Sequence, residues 1–539
     1  MNYALYLPAF ISGASLELLL FRKGEWDRRS GIIVKRYAIL FYVALILMFV
    51  FGQSIRASVA STLRLQLAFL GGLYSAMACY RLFFHPLKSF PGPFGARLSI
   101  FWYLKESIPD MQMYVRLREL HKEQGDFIRI KPRELSICHP DAVVEVHGPQ
   151  TKMLKGEFYD VNYPQHNLQM TRDPGYHHQK RRYWDKAFNT KALKSYEPRL
   201  KTHFTILMDI FSKHAASKET INASKTFMDY SFDVISDLTF GKPFNMLTTG
   251  EPHPIIKEFI EAKKIMGTAL SLTWLFHILR SIPWVEYRMN EFIKWYKSEL
   301  DDRSKASSPT QDFYTHLSQS ETFEKDGPWD AQLAIFAGGD TVSTTLTNIC
   351  YLLAEYPEYQ ERLNEDLNTL CRPDEELDDQ TLSKSVLLGG IINEALRLYP
   401  PVPSGGQRLT PPEGIVIAGR YIPGNMNVIT PAYSIQRDVR AFPQPDDFIP
   451  ERWYSRPELI LRKDAFFPFS YGHYNCAGKP LAMMELRMVI GMAVRKFKIS
   501  FPLGKKRECR RYVEEQADCF VMHTQPLSLM FEDREGKRV

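Results

Sequence analysis

No two cysteines of this chain stand in a C-x-x-C spacing, and the seven present, at 79, 138, 350, 371, 476, 509 and 519, are odd in number and scattered. That pattern speaks against both a disulfide framework and a zinc finger. It suits small core or surface residues in a reducing compartment. Also missing is a dense basic tract interleaved with aromatics. With 68 basic against 61 acidic residues the net charge is only +7, which fits an acidic partner or a membrane surface and speaks against nucleic acid. No internal repeat stands out. Hydrophobic residues at 45% and charged residues at 24% leave no room for extended disorder.

What the chain has in plenty is apolar sequence at its start. Residues 3–21 carry one charge, Glu17; residues 37–51 (YAILFYVALILMFVF) carry none; residues 65–84 (LQLAFLGGLYSAMACYRLFF) are interrupted only by Arg81. A bilayer core needs about 20 apolar residues in a helix. A cleaved signal peptide is the weaker reading, because no basic region precedes the first stretch and two more follow. Arg22, Lys23, Arg28 and Arg29 favour a cytosolic loop between the first two stretches. Arg56 and Arg64 flatten that bias, so the number of spans, up to three, is left open. Residues 85–95 (HPLKSFPGPFG) hold three prolines and two glycines and cannot continue a helix. They read as a stiff hinge, or an ordinary linker, between anchor and body. The expected division is 1–84 membrane anchor, 85–95 proline-rich hinge and 96–539 body, a single large body despite a length that suggests several domains.

Within the body, FIRIKPRELSICHP alternates on either side of Lys131-Pro132-Arg133, a hairpin pattern. A long helical region follows to about residue 400, punctuated by Pro357 and Pro400, and strand-like segments return at 415–433 and near 519–531. The expected fold class is mainly α with small β-sheets.

Four constellations carry chemistry. In FSYGHYNCAG (469–478), Phe469, Gly472 and Gly478 set a tight loop around Cys476, and Pro480 opens the next helix. A thiolate there sits near backbone N–H groups and a helix N-terminus, which stabilise negative sulfur. An isolated buried cysteine is ordinarily just a small hydrophobe. Glu394 and Arg397, three apart on an apolar helix, can pair on one face, and FIPERW (448–453) offers Arg452 as a further partner, which a buried pair needs. In AIFAGGDTVSTT (334–345), Gly338 and Gly339 would let another group approach the helix backbone closely and let the helix deform locally, and Asp340-Thr341 place a carboxylate and a hydroxyl at that distortion, suited to proton delivery. A simple kink with a solvated Asp is the plainer alternative.

Together, and in this order, the four motifs resemble the cytochrome P450 superfamily, with the likeness running over roughly 85–535 and closest to fungal enzymes of secondary metabolism. The resemblance implies a cytochrome P450 fold, preceded here by transmembrane helices. It makes Cys476 the proximal thiolate on the iron of haem b, with Phe469 beside it, and Asp340 and Thr341 the guides of protons to dioxygen. Gly338 and Gly339 would line the oxygen groove, while Glu394, Arg397 and Arg452 would support the haem loop. The stretch DPGYHHQKRRYWDKAF (173–188) looks like the helix that meets the haem propionates, with His177 and Arg181 in contact positions, and Arg408 looks like another propionate partner. One departure matters: where the family usually has Arg two residues before the cysteine, this chain has Tyr474, which carries no charge. Val342 is a smaller departure. His473 reads as surface or neighbouring shell rather than iron ligand. Lys180, Arg182, Lys186 and Lys191 are either a solvated basic face or a docking surface for an acidic reductase.

The implied activity is monooxygenation of a medium-sized hydrophobic molecule with O2, using electrons from NADPH through a separate NADPH–cytochrome P450 reductase, since no flavin- or NADPH-binding region is evident here. The implied place is the endoplasmic reticulum membrane, body facing the cytosol. The segment 158–170, with Ile335, Phe336, Pro403 and Ser404, is expected at the substrate pocket. The run 269–284 is either a membrane-dipping access route or a buried helix. A reductase-independent rearrangement or dehydration, and a non-catalytic haem-binding membrane protein, are the alternatives.

Overall fold

A computed structural model of the chain describes residues 5–51, 53–269, 271–306, 311–370 and 377–534. Cys371 lies outside the described residues. At the N-terminus stand α1 (Tyr6–Leu16), α2 (Ser30–Val50) and α3 (Ile55–Cys79). Among the described residues, two helical segments, Asp27–Val50 of 24 residues and Ile55–Phe84 of 30, are long and apolar enough to cross a membrane, and Tyr6–Phe21 is a shorter apolar helix. Side chains such as Ile39, Leu40, Ile46 and Phe51 are exposed, an arrangement that costs free energy in water and none in lipid.

The proline-rich segment does not hang free. Leu87 and Phe90 are buried against Leu135, Ile137 and Val428, and Arg129 N–H donates to the Pro91 carbonyl at 2.7 Å. The stretch therefore starts the body rather than bridging to it.

The body is helical with small sheets. The largest sheet contains β1 (Phe127–Lys131), β2 (Glu134–Ile137), β3 (Leu154–Lys155), β4 (Arg408–Leu409) and β5 (Asn427–Ile429), in the order β1-β2-β5-β4-β3. The β1–β2 hairpin is antiparallel, as its alternation predicts, while β2 and β5 run parallel. The antiparallel β3–β4 register sets Lys155 opposite Arg408. A small hairpin, β6 (Ala517–Cys519) with β7 (Val521–His523), lies late in the chain.

The helices that frame the site are α4 (Pro174–Ala187), α5 (Ala223–Phe240), α6 (Pro254–Ala269), α7 (Thr273–Arg280), α8 (Phe323–Glu355), α9 (Val386–Leu398) and α10 (Lys479–Lys496). Local chemistry explains their starts. Asp173 caps α4 by accepting from Tyr176 N–H at 3.0 Å, and Ser385 caps α9 through Leu388 N–H at 3.0 Å. The main core joins α5, α8, α9 and α10 through residues such as Val234, Leu346, Ile391 and Leu486. Helix α8 has 33 residues and is continuous, so Gly338 and Gly339 do not interrupt it. A Cβ at Gly338 would lie 2.8 Å from Ile235 Cγ1, and one at Gly339 2.5 Å from Phe232 Cδ1. The glycine pair is thus accounted for by the close approach of α5.

Candidate active site

The loop around Cys476 is held by its own backbone. Cys476 N–H donates to the Phe469 carbonyl at 2.8 Å, and Asn475 N–H to the Gly472 carbonyl at 3.1 Å. Gly472 has φ of 67°, and a Cβ there would meet the His147 carbonyl oxygen at 2.0 Å, so only glycine fits. The loop ends at Gly478, which caps α10, with Pro480 in the first turn. The Cys476 side chain has accessible surface and is not packed in the core. Burial pushes its thiol up, while the Gly478 and Lys479 N–H groups and the charges of Arg181 and Lys479 pull it down. Lys479 Nζ stands 5.5 Å from the centre of the partly buried Phe469 ring, and His473 is exposed.

Arg181 spends two of its donor nitrogens within the protein. Its guanidinium donates to the Asn475 carbonyl at 2.6 Å and to Asp185 at 2.7 Å, so it pins the residue preceding the cysteine. Lys180, expected on a basic face, is buried. It pairs with Asp330 at 2.5 Å and Asp326 at 3.6 Å and so ties α4 to α8. Arg182, Lys186 and Lys191 are exposed.

Beside Tyr474 the structure gathers three groups. His177 meets its ring edge-on at 4.8 Å, Lys155 Nζ lies 4.9 Å from its centre and the Arg408 guanidinium 5.1 Å. Lys155 and Arg408 are buried at 3% exposure each. Neither forms an ion pair among the described residues: Lys155 donates to the Leu168 and Gln169 carbonyls, and Arg408 to the Tyr159 hydroxyl and the Gln407 carbonyl. Arg408 Nε has no partner. Burial, and then the Arg408 charge, push the Lys155 ammonium well below its usual range. Burial, then Lys155, Arg181 and Arg408, push His177 down to about 3, so it is a neutral hydrogen-bonding group. A buried lysine whose charge is opposed by burial and by a neighbouring buried guanidinium, with no carboxylate partner for either, forms with it a pair that an anion would stabilise. This donor set fits the paired carboxylates of haem, and Cys476 fits its iron.

Glu394, Arg397 and Arg452 meet in the core, fully buried. Glu394 Oε1 is 2.7 Å from Arg397 and 2.9 Å from Arg452, and Oε2 accepts from Trp453 Nε1 at 2.9 Å. The spare donors of Arg397 reach the carbonyls of Gln436, Pro445 and Asp447. Gln436 in turn donates to the Arg397 carbonyl and accepts from Phe467 N–H at the start of the cysteine loop. Gln436 and Lys155 carry no local motif, and nothing in the sequence could have singled them out.

On α8, Asp340 is buried and bound by Lys263 of α6. Burial raises its pKa, against the opposing pull of Lys263. Thr341 Oγ1 donates to the Ala337 carbonyl at 2.7 Å. Of the expected pocket residues, Phe336 stacks on Phe259 at 3.8 Å, Phe158 on Phe520 at 5.0 Å, and the Ser404 hydroxyl bonds Asp518. Ile335 and Pro403 are buried.

Comparison with known proteins agrees with this geometry. Cytochrome P450 monooxygenase nodW of Hypoxylon pulicicidum is 34% identical, with 96% of each chain covered. Cytochrome P450 monooxygenase FCK2 of Fusarium pseudograminearum is 36% identical over 99% of this chain and 98% of that protein. Tryprostatin B 6-hydroxylase of Aspergillus fumigatus is 35% identical over 86% of this chain and 84% of that protein. Among solved structures, the heme domain of cytochrome P450DA superposes with a TM-score of 0.67 at 16% identity, covering 80% of this chain and 95% of that one, a likeness of fold. The family profile described as Cytochrome P450 matches residues 91–531, and the chain belongs to the cytochrome P450 family as an oxidoreductase of its monooxygenase class.

Proposed function

We propose that this chain oxidises a hydrophobic small molecule of fungal secondary metabolism, by hydroxylation in the first instance, with O2 and with electrons delivered from NADPH by a separate cytochrome P450 reductase to haem b. The observation that carries this reading is the Cys476 loop, whose Tyr474 ring lies beside the buried Lys155 and Arg408 side chains that have no carboxylate partner among the described residues. Haem bound there supplies oxygen activation, which thiolate donation favours.

The remaining work falls to the chain. The N-terminus of α10 and the N–H groups of Gly478 and Lys479 stabilise negative sulfur on Cys476. Lys155 Nζ and Arg408 Nε would hold the carboxylates of the cofactor, with neutral His177 and the Tyr474 hydroxyl as further donors. Thus Lys155 takes over the charge that Tyr474 lacks. Asp340 carries protons, with its oxygens held by Lys263 until they are needed. Thr341 satisfies its own donor on Ala337 and keeps its lone pairs available. The aromatic stacks at Phe158 and Phe336 exclude water and favour an apolar substrate.

Helices α2 and α3 anchor the body in the endoplasmic reticulum membrane. The loop between α1 and α2 touches the body through Arg28 and Glu25, which supports the cytosolic side that its basic residues favour. Exposed Arg182, Lys186 and Lys191 suit an acidic reductase surface.

The test is a carbon monoxide difference spectrum of dithionite-reduced microsomes, with Cys476→Ala as control. A thiolate-type Soret band in the wild type alone is expected. A histidine-type band would overturn the ligation, and product formed without reductase or NADPH would overturn monooxygenation in favour of rearrangement.

A further inference from the structure

The segment between β3 and α4, residues 156–173, has only one short 3-10 turn, Glu157–Asp160. Its own backbone bonds are all local turns, such as Tyr163 N–H to the Asp160 carbonyl and Thr171 N–H to the Asn167 carbonyl, so side chains from outside contribute to its position. It also matters to the site. The Lys155 ammonium at its start reaches across to the Leu168 and Gln169 carbonyls near its end. Tyr159 supplies the hydroxyl on which Arg408 rests, and Phe158 stacks on Phe520.

What grips this segment from outside is the loop between the first two apolar helices. The Glu25 carboxylate takes both guanidinium nitrogens of Arg172, at 2.7 and 3.0 Å, a two-pronged pairing that sets angle as well as distance. Arg172 Nε donates to the Lys155 carbonyl at 3.0 Å, and the same guanidinium reaches Asp160. Arg28 pairs with the buried Asp160 at 2.5 Å and lies over the Tyr163 ring at 4.2 Å. Arg133, which pairs with Glu157, also donates to the Gly24 carbonyl. Just beyond, Ser30 at the start of α2 donates to the Trp274 carbonyl of α7, whose Arg280 holds the carbonyls of Asn162 and Tyr163. Between loop and segment lies a cavity of about 520 Å³ lined by charged groups, among them Glu25, Arg28, Lys155 and Arg172. The hold is made largely of ion pairs and directional hydrogen bonds, with Arg28 over the Tyr163 ring as an added contact. Burial opposes ionisation of Glu25, but the Arg172 hydrogen bond and charge outweigh it and keep the carboxyl below its usual range.

We infer that Glu25 and Arg28 are positioning residues for the cofactor pocket: acting through Arg172 and Asp160, they hold the segment that delivers Lys155, Phe158 and Tyr159 to the site. The membrane anchor is then a working part of the pocket and not only a tether. The cofactor arm of this inference rests on the proposed ligation of haem by Cys476.

The test uses the full-length chain in lipid nanodiscs and compares wild type with Glu25→Gln/Arg28→Gln, and with Glu25→Asp/Arg28→Lys, which keeps both charges. Two quantities are read: hydrogen exchange of peptides within 154–173, with peptides of α8 as reference, and the rate of haem loss to an apoprotein acceptor. The neutral pair is expected to speed exchange in 154–173 and haem loss at least five-fold, with α8 unchanged, and the charge-keeping pair to stay within two-fold of wild type. Unchanged exchange in 154–173, or exchange that rises equally in α8, would overturn the inference. So would accelerated exchange with haem loss unaltered, since the segment would then not serve the cofactor. A wild type without a thiolate-type carbon monoxide band would instead refute the ligation, and the exchange measurement would still decide whether the anchor loop holds the segment.

Discussion

Lys263 Nζ lies 2.6 Å from Oδ2 and 2.8 Å from Oδ1 of Asp340, and the same ammonium donates to the Met522 carbonyl on β7. The carboxylate proposed to move protons is therefore locked to α6 and to the late hairpin. Both side chains are buried, where a pair persists because either partner alone is far costlier.

Asp340→Asn keeps the shape of the side chain and removes its proton-carrying oxygen. Substrate turnover should fall on the order of 10²-fold while the substrate-binding spectrum is retained. Lys263→Met leaves the carboxylate unpaired and should lower unfolding stability by about 3 kcal/mol, read by thermal denaturation. Turnover of Asp340→Asn equal to wild type would remove Asp340 from the proton path.

Lys155 and Tyr474 make different contributions to holding the cofactor. Lys155→Met deletes a buried charge and should speed haem loss roughly ten-fold, the equivalent of about 1.4 kcal/mol for one charge-assisted hydrogen bond. Tyr474→Phe removes a neutral donor and should change the rate by less. Equal effects in a haem-transfer assay would mean that Lys155 does not stand in for the missing arginine.

Glu394→Gln removes the carboxylate charge that pairs with both fully buried guanidinium groups. Arg452→Lys loses the donors now spent on the carbonyls of Pro443, Gln444 and Leu459. Each should lower stability by about 3 kcal/mol, read from denaturant midpoints, and each should reduce haem incorporation before any effect on chemistry. Normal haem content in a destabilised variant would separate this cluster from the cysteine loop.

Glu485 is buried on α10, and burial raises its pKa from 4.5 to about 8. Between those two values the folded chain keeps a proton that the unfolded chain has released. Stability therefore falls as pH rises through that window, by up to ~1.4 kcal/mol per unit. Glu485→Gln should flatten this slope and unfold at higher temperature than wild type above neutral pH. Parallel melting curves for the two proteins from pH 5 to 9 would show that the carboxyl is not the titrating group.

The motifs were legible because each is a local spacing with a local reason. The loop at Phe469–Gly478 needs glycine at 472, where the left-handed backbone runs onto His147, and α9 places Glu394 and Arg397 on one face by its own geometry. The β1–β2 hairpin followed from alternation. Gly338 and Gly339 left two readings open, since a glycine pair looks the same whether it bends a helix or admits a neighbour. Only the position of α5 told the two apart.

What the sequence by itself determined is the chemistry that can be written in short windows: a cysteine before a helix, an acid and a base one turn apart, apolar runs of bilayer length. What only the tertiary structure decided is which distant charges find each other. Lys155 opposes Arg408 through a strand register, Lys180 is buried on Asp330, Lys263 holds Asp340, and Glu25 reaches Arg172. A lysine's sequence neighbours say little about its burial, because its long side chain takes its surroundings from whatever the fold packs beside it. A buried charge then has to be matched across the fold or by a bound group.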